Sequence, residues 1–79
     1  MPTVQINEER VALPDGATVL DAVAHTTGRD LTEAGTPTDG GRLGVAVAAA
    51  GEVLPRGQWS RTALSEGDEL EIVTAVQGG

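Results

Sequence analysis

The sequence predicts a small α+β roll, with one helix laid across a face of a β-sheet. Three observations predict it: an alternating hairpin pattern at the N-terminus, one capped helical stretch after it, and a return to strand alternation in the second half. A chain of 79 residues makes one domain, and at that size folding buries only about 60 to 70% of the surface exposed by the unfolded chain. A deep catalytic cleft does not fit. Hydrophobic residues are 39% of the chain and Trp59 is the sole aromatic, so the core is expected from Val, Leu, Ile and Ala.

Val4 and Ile6 alternate with polar residues, Asn7-Glu8-Glu9 is turn-like, and Val11 and Leu13 alternate again, so residues 3–13 read as a hairpin ended by Pro14-Asp15-Gly16. Thr18 is a suitable helix N-cap with Asp21 three residues on. Val19, Leu20 and Val23 share a helical face, and Gly28 is a natural terminator. Asp21 near the helix start and His25 near its end suit the macrodipole. Residues 28–44 carry no sustained period and are rich in Gly, which reads as a long flexible loop. Val45 and Val47 then face one way and Ala46 and Ala48 the other. A turn follows at Ala49-Ala50-Gly51-Glu52, where Ala's poor tolerance of positive φ favours type II with Gly51 third. Val53 and Leu54 start a return strand that Pro55 cuts short. After the turn Ser65-Glu66-Gly67-Asp68, the last strand places Leu70 and Ile72 inward and Glu69, Glu71 and Val73 outward. The inward set is Val4, Ile6, Val11, Leu13, Val19, Leu20, Val23, Val45, Val47, Val53, Leu64, Leu70 and Ile72. The domain therefore spans residues 1–73, and residues 74–79 form a flexible tail ending in Gly78-Gly79.

Composition narrows the function. A net charge of −7 disfavours nucleic acid, whose phosphates need clustered Lys and Arg, and favours a basic protein partner. There is no apolar run of membrane-spanning length and no basic region ahead of an apolar stretch at the N-terminus, so a cytoplasmic location is expected. The chain has no Cys, and all its basic residues are Arg (Arg10, Arg29, Arg42, Arg56 and Arg61). Without Cys there is no disulfide framework, cysteine nucleophile, thiolate metal site or persulfide. Without Lys there is no Schiff base and no attachment point for biotin or lipoate. A lone His25 makes neither a metal site nor an acid–base constellation. An enzyme is not expected, nor any metal or cofactor bound by this chain.

Small acidic proteins are often carriers, and most ways of holding cargo fail here. Phosphopantetheine needs an exposed Ser at a helix start, but the serines are Ser60 after Trp59 and Ser65 before Glu66. What remains is the carboxylate of Gly79, ionised at neutral pH because such groups titrate near about 3.3 to 3.7. That carboxylate can attack the α-phosphate of ATP to give an acyl-adenylate, which a sulfur donor converts to a thiocarboxylate. Thr74, Ala75, Val76, Gln77, Gly78 and Gly79 form the tail that must enter a partner's active site. They span at most roughly 20 Å, and glycine leaves the end unhindered.

Glu52-Val53-Leu54-Pro55-Arg56-Gly57-Gln58-Trp59, the run Leu64 to Val73, and Thr74-Ala75-Val76-Gln77-Gly78-Gly79 resemble the ThiS family of sulfur carriers of the thiamine pathway. The hairpin and Thr18-capped helix are similar to the same family, so the likeness covers all but residues 28–44. It implies a β-grasp (ubiquitin-like) roll, a mixed sheet with one main helix packed across it. It also implies adenylation of Gly79 by a ThiF-type enzyme using ATP and magnesium, a sulfur donor protein, and delivery to thiazole synthase (ThiG). Two alternatives share the tail. One is a MoaD-like or other-pathway sulfur carrier, serving molybdopterin, cysteine or secondary-metabolite assembly. The other is a ubiquitin-like modifier or adaptor, for which the absence of Lys removes self-chains but not conjugation to other proteins.

The partner-docking candidates are Val73, Glu71, Glu69, Arg56 and Trp59. Trp59 either anchors a partner or packs in the core or rim. Arg56 and Arg61 either pair with partner carboxylates or stay solvated. The acidic stretch Glu66, Asp68, Glu69 and Glu71 either steers docking to a basic enzyme or is a solvated strand face. Val73, Ala46 and Ala48 are expected together on the outward face as a small apolar patch.

Overall fold

The computed structural model describes residues 1–41 and 44–74. In chain order it contains β1 (Thr3–Ile6), β2 (Glu9–Ala12), α1 (Val19–Thr27), β3 (Val45–Ala49), β4 (Glu52–Leu54), a 3₁₀ helix (Arg56–Arg61) and β5 (Glu69–Thr74). The strands form a sheet in the order β2-β1-β5-β3-β4. β1 and β5 run parallel and the other pairs antiparallel, so the last strand lies in the middle of a mixed sheet. A hairpin at each side thus brackets the strand that leads to the C-terminus.

The helix starts where the sequence places it. The carboxylate of Asp21 accepts the Thr18 backbone N–H at 2.8 Å, the reciprocal bond of a capping box, and Gly28 ends the helix at φ 70 with its N–H donating to Ala24 O. Val19, Ala22 and Val23 are buried against the sheet, while Leu20 is half-buried at the edge of the same core. The segment after the 3₁₀ helix closes on the helix entrance: Val19 N–H donates to Thr62 O and Leu64 N–H to Ala17 O, both at 2.9 Å.

Two expectations are corrected. Val53 belongs to the outer face, 75% exposed, rather than to the core. The register explains it. The hairpin pairs Ala49 with Glu52 and Ala48 with Val53, so Val53 shares the outward face of Ala48. That hairpin turns through type I′, not type II, since Ala50 and Gly51 both have positive φ, 53 and 83. A two-residue loop between right-twisted strands requires that hand, and the twist outweighs the roughly 1–2 kcal/mol of Ala's steric strain. The first hairpin uses the same turn at Asn7-Glu8, with φ 50 and 72.

Residues 28–44 connect α1 to β3. Over its described part this segment is a folded loop. Leu31 bridges Pro37, Thr38 N–H donates to Asp30 O at 3.0 Å, Thr32 N–H donates to Thr36 O at 2.7 Å, and Arg29 pairs with Asp39 at 3.0 Å. The Gly41 N–H, helped by the Arg29 charge, holds the Asp39 carboxyl below its ordinary range against an opposing desolvation. Gly35 is buried at φ 82, and a Cβ there would sit 2.5 Å from Arg56 Cγ and 3.0 Å from Trp59 Cε3. Only glycine lets the loop lie that close.

Candidate functional site: the outer sheet face and the end of the last strand

The chain leaves the sheet through β5. Strand alternation buries Leu70 and Ile72 and turns Glu69, Glu71 and Val73 to the opposite face, as the sequence predicts. Register then assembles a surface. Val73 lies opposite Ala46, Glu71 opposite Ala48, and Ala48 also opposite Val53. Val73 is 54% exposed, so Ala46, Ala48, Val53 and Val73 form one apolar patch beside the strand end. Its acidic border is Glu71, next to Ala48, and Glu69, opposite Gln5. A shallow groove of about 270 Å³ runs between the two hairpin tips past Gln5, Asn7, Glu69 and Glu71.

Of the acidic stretch, only Glu69 and Glu71 join this face. Glu66 and Asp68 sit at the opposite end of β5, where Glu66 accepts the Thr3 N–H at 2.9 Å and Asp68 accepts the Ser65 N–H at 2.7 Å. They close the turn into the strand.

Two docking candidates are corrected by their surroundings. Trp59 is 1% exposed and the largest fully buried side chain, with its Nε1–H donating to Leu54 O at 3.1 Å. It has no surface to offer a partner. Arg56 is half-buried: Nη1 donates to Gly35 O at 2.9 Å, Nη2 reaches Val45 O at 3.4 Å, and the guanidinium lies 5.0 Å from the centre of the Trp59 ring. Its work is internal. Thr74, paired with Val45, is the last residue of β5, and Ala75, Val76, Gln77, Gly78 and Gly79 lie outside the described residues.

Sequence reading missed Val53 as a member of the patch. The signal was present in the turn: with Ala50-Gly51 as a two-residue loop, Val53 falls opposite outward-facing Ala48. Among the described residues, no group of three His, Asp or Glu side chains could hold a metal ion, and no helix is long and apolar enough to cross a membrane.

The chain matches the ThiS family over residues 2–79. It belongs to that family. A crystal structure of a thiamine biosynthesis protein (ThiS) from Geobacter metallireducens is similar in fold, with a TM-score of 0.64 at 19% identity over 98% of this chain and 99% of that one. Among curated protein sequences, none matches. The five-stranded mixed sheet with its helix is the β-grasp fold of ThiS. ThiS proteins are small sulfur carriers of thiamine biosynthesis, not catalysts.

Proposed function

We propose that this ThiS-family chain carries sulfur as a thiocarboxylate on Gly79 and delivers it to thiazole synthase. The observation that carries this reading is the placement of β5. The strand leading to Gly78-Gly79 is central in the sheet, and its last described residues run beside an exposed apolar patch with an acidic border. A partner that takes in the chain end must also cover the surface from which that end emerges.

In the activating step, a ThiF-type enzyme holding ATP and magnesium binds this face, and the Gly79 carboxylate oxygen attacks the α-phosphorus. Pyrophosphate leaves and the acyl-adenylate forms. A donor protein's persulfide then attacks the acyl carbon and displaces AMP, a thiol cleaves the resulting acyl disulfide so that the donor leaves as a disulfide with that thiol, and the terminal thiocarboxylate passes to thiazole synthase. This chain contributes the docking face, the reach of residues 74–79 and an unhindered terminal carboxylate. Catalytic groups come from the partners.

ATP–pyrophosphate exchange with a ThiF-type enzyme tests the reading. The intact chain is expected to support exchange, and deletion of Gly79 to abolish it while leaving the unfolding midpoint unchanged, because among the described residues the last buried core residue is Ile72. Exchange at full rate without Gly79 would end the proposal. Intact mass of the protein from its own cells should also show one terminal oxygen replaced by sulfur.

A further inference from the structure

Both flanking hairpins stop short of the sheet end that leads to the tail. Along the parallel edge, Gln5 N–H donates to Asp68 O at 2.8 Å and Asn7 N–H to Leu70 O at 3.1 Å. The next rung on β5 belongs to Ile72. The β1 main chain cannot supply it, having turned back at Asn7-Glu8. The Asn7 side chain supplies it instead: Nδ2–H donates to Ile72 O and Oδ1 accepts the Ile72 N–H, both at 2.8 Å. A primary amide offers the same donor and acceptor as a peptide group, so one side chain substitutes for a strand residue.

The other edge repeats the device. β4 pairs Val47 with Leu54, so the next main-chain pair on that edge would join Val45 to Arg56. The chain has by then entered the 3₁₀ helix behind Pro55. Arg56 nevertheless meets that rung with its side chain, Nη2 reaching Val45 O at 3.4 Å while Nη1 binds Gly35 O at 2.9 Å. Its stem is fixed between the Trp59 ring and Gly35, where there is no space for a Cβ. Beyond the flanking strands, β3 and β5 therefore continue as a two-stranded ribbon, Ala46 opposite Val73 and Val45 opposite Thr74, with a side chain on each outer edge. A bare two-stranded ribbon is marginal in water.

We propose that Asn7 and Arg56 are positioning residues for activation of the terminal carboxylate: their side chains replace missing strand rungs and hold the β3–β5 ribbon that aims the tail. This role rests on the carrier reading above. Part of the docking surface, Val53 and Ala48 with the border Glu69 and Glu71, lies outside the ribbon, while Ala46 and Val73 belong to it. Loss of the rungs therefore disturbs delivery of the carboxylate within the docked complex, where misorientation slows chemistry more than binding.

Asn7→Gly keeps a residue suited to the positive-φ turn and removes the amide. Arg56→Met keeps a stem beside Trp59 and removes the donors. In the free protein, amide exchange at Ile72, Val73 and Ala46 should accelerate about tenfold relative to Val4 and Ile6, as loss of one or two hydrogen bonds implies. With a ThiF-type enzyme and ATP, kcat should fall about tenfold with KM changing by a smaller factor. Arg56→Lys, which retains a donor, should recover part of the kcat. Asn7→Asp, which sets an oxygen against Ile72 O, should not. Wild-type kcat in both Asn7→Gly and Arg56→Met would overturn the role, and so would exchange that rises equally across the whole sheet. A wild-type chain that no such enzyme adenylates would sink the carrier reading and this role with it. A wild-type chain that is adenylated, alongside variants at full kcat, would sink this role alone.

Discussion

Ala50 holds φ 53, a conformation costly for a residue with a Cβ, because register leaves only two residues to reverse β3 into β4. Ala50→Asn, whose side chain tolerates that region, should stabilise the domain by about 0.5–1 kcal/mol. In a domain this size the melting midpoint should then rise by roughly 2–8 °C, and an unchanged or lower midpoint would refute the strain. Trp59 is the opposite case. Buried to 1% and hydrogen-bonded to Leu54 O, it joins the 3₁₀ helix to the sheet and backs the Arg56 stack. Trp59→Ala should cost about 3–5 kcal/mol, enough to leave much of a small domain unfolded in a denaturant titration. A folded variant with weakened partner binding would instead restore the docking role expected of a lone exposed Trp. Composition shows that Trp59 is the sole aromatic but cannot say which way it points.

At the scale of elements, period-two alternation made the faces of β1, β3 and β5 legible, and a capped amphipathic pattern did the same for α1. The 3₁₀ helix carried no such signal, being a single short run with no repeating apolar position and only Trp59 buried. β4 is three residues long, too short for alternation to show its facing, and Val53 was placed inward without being set opposite its partner Ala48 across the turn. The corrected faces sharpen the docking prediction. Val73→Asp and Val53→Asp replace exposed side chains and should each change the unfolding free energy by less than about 0.5 kcal/mol. Under a partner, the new charge is desolvated without a counter-ion, costing on the order of several kcal/mol before relaxation. Calorimetric or kinetic affinities for a ThiF-type enzyme should therefore fall at least about tenfold for Val73→Asp. A variant that binds as tightly as wild type would remove this face from the interface, and one that unfolds would mean the strand faces are wrongly assigned.

Over the whole molecule, a net charge of −7, with Glu69 and Glu71 bordering the apolar patch, favours encounter with a basic partner. Stopped-flow association with the activating enzyme should slow about tenfold or more as ionic strength rises from low to a few tenths molar, while dissociation changes little. Association indifferent to salt would show that the acidic border is only a solvated rim. The sequence by itself determined the fold class, most of the aliphatic core but not Trp59, the helix with both its caps, the outward direction of Val73 and the terminal Gly78-Gly79. Each of these is a local pattern, written in neighbours a few residues apart. Only the tertiary structure decided what depends on residues distant in sequence. It brought Val53 to Val73 through β3, folded residues 29–41 onto Arg56 and Trp59, and let Asn7 complete a rung for Ile72. Those pairings depend on register, turn hand and close packing, which are fixed when the strands meet and leave no period in the chain to read.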